Sequence, residues 1–254
     1  MIKKKHNIVV WGGSGFLGSH VSDFLSKEGH KVTIADIKES PYKQKNQKFV
    51  HADITDSKQV DKIIKNNDYV YNFAGIANID ESNLSIQKTI DINIKGNFNI
   101  LNSSIKYSVR RYIFASTVYV YSDSGGFYKC SKQACEQYIQ EFNKQYKLKF
   151  NILRFGTLYG PRADDNNSIK YFIKQILNNK RINYYGKSDS KREYVHVFDA
   201  AKISCMLLNE KYKNQHFIIA GNQSTKVKDT IKMISDILKR KKVKVNYEKG
   251  NKNK

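Results

Sequence analysis

Short apolar runs alternate, over the first two thirds of the chain, with stretches whose apolar residues recur every three or four positions. Ile8-Val9-Val10-Trp11 reads as a buried strand, and Phe16, Leu17, Val21, Phe24 and Leu25 then mark one face of a helix. Val32-Thr33-Ile34-Ala35 and Lys48-Phe49-Val50-His51 predict the second and third strands. Val60, Ile63 and Ile64 predict a helix after Asp56-Ser57, a capping pair. Tyr69-Val70-Tyr71-Asn72 predicts a fourth strand, followed by a long helix over about 83–107. Tyr112 to Ala115, a helix from Tyr128 to Tyr146, and Asn151 to Leu153 continue the alternation. Strands alternating with helices predict parallel βαβ units of right-handed connection, an α/β doubly wound sheet with helices on both faces.

After Gly156 the pattern loosens. Helices are expected around Tyr171–Leu177, Phe198–Leu208 and Val227–Leu238, with a strand at His216–Ile219. The expected division is 1–155 as the main domain, with 190–220 returning to it. Residues 156–189 and 221–254 form a smaller C-terminal lobe.

Gly12-Gly13-Ser14-Gly15-Phe16-Leu17-Gly18 joins the first strand to the first helix. Glycines at 12, 15 and 18 suit a Rossmann-type dinucleotide loop. Gly12 allows a tight turn, Gly15 lets backbone approach a pyrophosphate at the helix N-terminus, and Gly18 lets helix pack on strand. The alternative is a glycine-rich turn that binds nothing. Asp36, at the end of the second strand, is placed to accept from a ribose hydroxyl and to repel a 2′-phosphate, which favours NAD over NADP. Asp53-Ile54 would lie beside the adenine, unless Asp53 serves as a helix cap.

Composition narrows the classes. The 254 residues carry Lys+Arg 45 against Asp+Glu 23, a net charge of +22. The excess is spread along the chain and clusters only in the tail from Lys239 onward, so it reads as a solvated basic surface that favours anionic substrates. It does not by itself call for nucleic acid. No apolar run is long enough to span a membrane. Cys130, Cys135 and Cys205 form no CxxC pair, which fits a reducing cytoplasm and assigns no disulfide and no metal.

Tyr128-Lys129-Cys130-Ser131-Lys132 sets a phenol and an ammonium at i and i+4, one face of a helix. A phenol is a weak base at neutral pH, and a neighbouring ammonium together with a positive nicotinamide ring would favour its phenolate. The pair is an acid/base device for an alcohol. Thr117, closing the fifth strand, offers a hydroxyl for the reacting oxygen.

With these residues the chain resembles the extended short-chain dehydrogenase/reductases, specifically the NAD-dependent nucleotide-sugar epimerase/dehydratase family. Asn72-Phe73-Ala74-Gly75 resembles the family's HxAG stretch, and Asn93-Ile94-Lys95-Gly96-Asn97 its NxxGT helix. Ser116 to Tyr121 resembles SSxxVYG, Leu153 to Arg162 resembles LRYxNVYGPR, and Arg192 to Ala201 resembles RDFVHVDDVA. The resemblance implies Thr117, Tyr128 and Lys132 as the catalytic triad. It implies cofactor contacts from Gly12, Gly15, Phe16, Leu17, Gly18, Asp36, Asp53, Ile54, Phe73, Ala74, Gly75 and Lys132, with Phe155 beside the nicotinamide. Arg192 would hold a nucleotide-sugar diphosphate, which a guanidinium matches, and Tyr185 would flank the base. Read as residues alone, Arg192 is equally an ion-pair partner of Glu193 or Asp189, and Tyr185 plain core. The family's Asn in LRYxN is Thr157 here, which alters one substrate hydrogen bond.

Three departures stand out. The dehydratases carry an Asp-Glu pair after the catalytic Thr, whereas Val118-Tyr119 follow here, which argues against a 4,6-dehydratase. The segment from Thr117 to Tyr128 is shorter than in typical 4-epimerases. The chain also ends at Lys254, earlier than most members, which implies that the smaller lobe lacks its last elements. The implied activity is a nucleotide-sugar epimerase acting at C4 through a transient keto sugar, as a cytoplasmic homodimer. The alternatives are a net NAD(P)-dependent reductase of the same substrates and a non-catalytic NAD-responsive binding protein.

Overall fold

The computed structural model describes residues 5–178, 181–240 and 242–248. Its order begins β1 (Asn7–Trp11), α1 (Phe16–Lys27), β2 (Lys31–Asp36), β3 (Gln47–His51), α2 (Ser57–Ile64) and β4 (Tyr69–Asn72). Helices α3 (Ile79–Leu84) and α4 (Ile86–Thr89) lead through a widened π-helical segment (Ile90–Gly96) into α5 (Asn97–Lys106). Strand β5 (Arg111–Thr117), a 3-10 turn (Val118–Tyr121), α6 (Gly126–Tyr146) and β6 (Phe150–Phe155) follow. Next come β7 (Thr157–Tyr159), α7 (Ser168–Leu177), β8 (Ile182–Tyr185), β9 (Lys191–His196) and α8 (Val197–Met206). Strands β10 (Gln215–Ile219) and β11 (Ser224–Lys226), helix α9 (Val227–Ile237) and β12 (Val245–Glu248) complete the described chain.

Two compact units form. Met1–Phe155 with Phe198–Ile219 make the first, and Gly156–Val197 with Ala220–Lys254 the second. The first unit carries a seven-stranded sheet of order β10-β6-β5-β4-β1-β2-β3, every pairing parallel. Val9, Trp11, Val60, Ile64, Val70, Ile100, Phe114, Ile139 and Ile152 belong to one core cluster between sheet and helices. Helix α1 buries Leu17, Val21 and Leu25, which recur every fourth residue. Helix α2 starts where Asp56 accepts from the backbone N–H groups of Lys58 and Gln59, a capping arrangement. Tyr71 Oη donates to Ser204 O at 3.0 Å, and Arg111, fully buried, donates to Leu207 O at 2.5 Å and Asn209 O at 2.9 Å. These bonds tie the returning segment to the sheet.

The second unit packs Phe172, Ile176, Ile182, Val227 and Ile231 into its own core. Its strands form a sheet of order β11-β9-β7 and a parallel β8–β12 pair. Residues 190–197, expected to return to the main domain, stay here, because β9 pairs with β7 and β11.

The single helix expected over 83–107 is interrupted. Ser85 adopts φ −129° and ψ 65° between α3 and α4, and Thr89 Oγ1 donates to the Ser82 and Ser85 carbonyls. Side-chain hydroxyls competing for backbone carbonyls favour such breaks. Among the described residues no helix is long and apolar enough to cross a membrane.

Candidate active site

In a doubly wound sheet, ligands sit beyond the carboxyl ends of the strands where the order reverses. Here that crevice lies between β1 and β4, whose last paired residues are Trp11 and Asn72. Gly12 turns with φ +70°, its N–H donating to Ala35 O at 3.0 Å. A Cβ on Gly12 would lie 2.6 Å from Ala74 N, so the loop and the Phe73–Gly75 stretch touch backbone to backbone. A Cβ on Gly18 would lie 2.2 Å from Gly12 O, so only glycine lets α1 start here. Around Gly15 the space is open except for Gly12 O at 3.2 Å.

The N-terminus of α1 has no capping side chain and no acid in its first turn. Ser14 Oγ is buried with no hydrogen-bond partner among the described residues, and Ser14 N–H donates to Asp36 Oδ2 at 3.0 Å. An uncapped helix start, an open cradle at Gly15 and an orphaned hydroxyl beside Asp36 fit the pyrophosphate and ribose of a dinucleotide. Phe16 is half-buried and Leu17 buried behind the loop. Asp53 folds its own turn, accepting from Thr55 N and Thr55 Oγ1, both at 2.8 Å, while Asp56 takes the cap. Ile54 is buried against Gly96.

Strand β5 delivers Thr117, and α6 delivers Tyr128 and Lys132. Between them Gly125 (φ +109°) and Gly126 (φ +49°) make a turn that a side chain would strain. Phe127 N–H donates to Asn83 Oδ1 at 3.1 Å, Lys129 Nζ to Ser122 O at 3.1 Å, and Gln133 Nε2 to Val120 O at 2.9 Å. The short segment is thus fastened to α6 and to the end of α3. Thr117 Oγ1 accepts from Tyr119 N–H at 3.2 Å, and the Thr117 hydroxyl beside Tyr128 favours the phenolate. Burial outweighs this and pushes the Tyr128 phenol up to about 12. Lys132 Nζ donates to Ala115 O at 2.8 Å and lies 4.6 Å from the Phe114 ring centre and 5.9 Å from that of Tyr128. Burial brings it down to about 8, against the opposing pull of Cys135 and Glu136. In the chain without its cofactor, desolvation dominates both groups. Phe155 ends β6 directly opposite Thr117.

Two residues support this set that the sequence placed in motifs without assigning them a role in the site. Asn93, in the π-helical segment, accepts from Ile76 N–H at 2.7 Å and donates to Ile76 O and Ser131 Oγ, both at 3.0 Å. Ser131 Oγ in turn donates to Tyr128 O at 2.8 Å. Asn93 spans from the chain after β4 to α6. The NxxGT-like stretch beginning at Asn93 was the available signal, and π-helical insertions gather at functional sites.

The remaining candidates belong to the second unit. Thr157 starts β7 opposite Tyr194. Arg192, half-buried on β9 opposite Thr225, donates to Lys191 O at 2.8 Å. Asp189 pairs with Lys228 at 2.8 Å and Lys226 at 3.7 Å rather than with Arg192. Tyr185 ends β8, is 38% exposed, and so is not core. The second unit brings Thr157 and Arg192 into one sheet and places Tyr185 in the other.

Residues 8–220 match the profile described as the NAD dependent epimerase/dehydratase family. The chain belongs to that family. A Methanocaldococcus jannaschii protein provisionally named UDP-glucose 4-epimerase is 32% identical over 248 residues, covering 89% of this chain and 81% of that one. A dTDP-D-glucose 4,6-dehydratase of Dictyostelium discoideum is 26% identical over 80% of this chain and 55% of its own length. A solved UDP-glucose 4-epimerase of Thermotoga maritima with UDP-glucose superposes with a TM-score of 0.90 at 28% identity, covering 97% of this chain and 87% of that one. The epimerase and dehydratase branches thus share this fold, and the site must separate them.

Proposed function

We propose that the chain is an NAD-dependent nucleotide-sugar epimerase that inverts C4 of a UDP-sugar. The observation that carries this reading is one phenol, Tyr128, beside the Thr117 hydroxyl and with the buried Lys132 Nζ 5.9 Å from its ring centre, while Val118 and Tyr119 follow Thr117 where a dehydratase needs acids. Bound NAD supplies reversible hydride chemistry at the sugar carbon. Tyr128 takes the proton of the sugar hydroxyl and later returns it. Thr117 hydrogen-bonds the same oxygen in both halves, and the Lys132 ammonium offsets the charge on the phenolate. Gly12, Gly15 and Gly18, with the first turn of α1, hold the cofactor pyrophosphate. Asp36 accepts from the adenosine ribose, Ile54 and Asp53 border the adenine, and Phe155 borders the nicotinamide.

Arg192 takes the diphosphate of the sugar nucleotide, with Tyr185 and Thr157 as further substrate contacts. The protein acts in the cytoplasm, in carbohydrate metabolism, as a homodimer through α5 and α6. Phe98, Tyr138 and Tyr146 are exposed there at 41%, 48% and 60%, an apolar face suited to burial against a second copy. The test is to denature the purified protein, identify the released dinucleotide by mass spectrometry, and assay UDP-glucose for conversion to UDP-galactose. One NAD per chain with isomerised product is expected. Stoichiometric consumption of added NAD(P)H with a reduced sugar product would replace the epimerase with a net reductase.

A further inference from the structure

We propose that Glu136 is a positioning residue for the Tyr128–Lys132 pair, its buried carboxylate bolting α6 to the ends of β5 and β6. The reading rests on the proposed epimerase site and extends it to a residue outside the triad. Glu136 is only 4% exposed. Its Oε1 accepts from Ser116 Oγ at 2.5 Å and from Arg154 Nε at 3.0 Å, and its Oε2 accepts from Arg154 Nη2 at 2.5 Å. Ser116 and Arg154 face each other across β5 and β6, one residue before the pair Thr117 and Phe155. Glu136 also lies four residues after Lys132, on the same face of α6. One carboxylate therefore joins the helix carrying the phenol and ammonium to the two strands carrying Thr117 and Phe155.

Arg154 is itself held from outside. Its Nη2 lies 3.0 Å from His216 Nδ1 on β10, its Nη1 donates to Tyr121 Oη, and its Cζ lies 4.9 Å from the Tyr121 ring centre. A guanidinium only donates, so His216 Nδ1 accepts and the ring is neutral with its proton on Nε2. Burial and Arg154 both lower the His216 pKa, which keeps it so. Every oxygen of Glu136 has a partner, which is what a buried carboxylate requires. Such a clamp is costly to break on one side only.

The clamp also has an electrostatic reach. The groups around Lys132 are Tyr128, Cys135 and Glu136 on α6, the Ala115 carbonyl and Phe114 ring from β5, and Gly75 with Asn93 beyond β4. Against the desolvation that brings Lys132 down to about 8, Cys135 and then the Glu136 carboxylate pull it upward.

The test compares Glu136→Gln, which keeps the shape and removes the charge, with Glu136→Asp, which keeps the charge and shortens the reach. Lys132 ionisation is followed by NMR of 13C-labelled lysine, assigned with Lys132→Met, and needs no substrate. Glu136→Gln should lower the Lys132 midpoint by about one pH unit. It should also lower kcat by roughly tenfold to a hundredfold with KM unchanged, the loss expected when reacting groups shift by about 1 Å. Glu136→Asp should hold the Lys132 midpoint near wild type while kcat still falls. If Glu136→Gln does not fold, the proposal stands or falls on the kcat of Glu136→Asp. A Lys132 midpoint and a kcat within about twofold of wild type, with only thermal stability lowered, would overturn it and leave a structural ion pair. A wild-type chain that turns over no sugar nucleotide would sink the epimerase reading separately, because the Lys132 titration can still be measured.

Discussion

The two glycines at the start of α1 make different demands, and paired alanine substitutions separate fold from cofactor binding. Gly15 sits at φ −75° and ψ −178°, extended backbone open to any residue. A Cβ there meets only Gly12 O at 3.2 Å, a contact relieved by a few tenths of an ångström. Gly15→Ala should therefore change stability by no more than about 0.5–1 kcal/mol, the lost helix start offset by a less flexible unfolded chain. The added methyl enters the concavity where the pyrophosphate must approach backbone, so NAD affinity should fall at least about tenfold, or ~1.4 kcal/mol. At Gly18 the Cβ would sit 2.2 Å from Gly12 O and 2.9 Å from Gly13 Cα, against 3.4 Å for ordinary contact. Backbone cannot rotate away, so the loop or the helix must move, at roughly 1–3 kcal/mol or more.

Thermal unfolding followed by circular dichroism gives the first quantity, and calorimetric titration with NAD gives the second. Trp11, the single tryptophan, is fully buried at the end of β1 directly before the loop, and its fluorescence offers an independent probe. The expected pattern is a stable Gly15→Ala that binds poorly and a Gly18→Ala that is both less stable and unable to bind. Wild-type NAD affinity in Gly15→Ala would refute the assignment of this loop as the pyrophosphate cradle.

Further consequences are open to direct measurement. Tyr128→Phe removes the proton carrier and leaves the ring, so turnover should vanish with the unfolding midpoint nearly unchanged; measurable epimerisation in that variant would remove Tyr128 from its role. Lys132 ionises near 8 in the folded chain against an ordinary 10.5, so the unfolded chain binds more protons between those values. Stability from this group thus rises with pH across that window. Lys132→Met should be inactive yet equally or more stable at pH 7, by up to ~3 kcal/mol, and the gain should fade toward pH 10 in thermal melts. Wild-type turnover should decline above pH about 8 as the ammonium is lost. Asp36→Asn should weaken NAD and narrow its advantage over NADP, read as the ratio of their dissociation constants.

The alternation of strands and helices carried the sheet because period-2 and period-3.6 patterns are local properties of the chain. Gly12, Gly15 and Gly18 were legible because their spacing falls within seven residues, although the backbone that Gly12 must approach, Phe73–Ala74, lies far along the chain. The break at Ser85 was not, because it depends on Thr89 reaching back to carbonyls in a segment whose apolar spacing still reads as helix. The assignment of residues 190–197 also failed, since strand pairing with β7 and β11 is a long-range choice that apolar runs do not encode. Nor did any spacing link Glu136 to Arg154, which are eighteen residues apart and meet only when α6 lies on the sheet. Ser14 was hidden because its importance lies in lacking a partner, a property only a packed structure has.

The protonation states bear on which branch of the family this site serves. A dehydratase must abstract one proton, transfer hydride and expel water, and the last step calls for its own acid near the leaving hydroxyl. Val118 and Tyr119 offer no carboxylate at that place. An epimerase asks less: one group that gives up a proton at an oxygen and takes it back at the same oxygen. A phenol near 12, beside the Thr117 hydroxyl and 5.9 Å from an ammonium near 8, meets that demand. It rests protonated, ready to donate in the return step, and its loss of a proton is favoured only while positive charge is gathered beneath it. The same reasoning gives Glu136 its place. By sustaining the Lys132 ammonium without touching substrate, it keeps a reversible phenol usable near neutral pH.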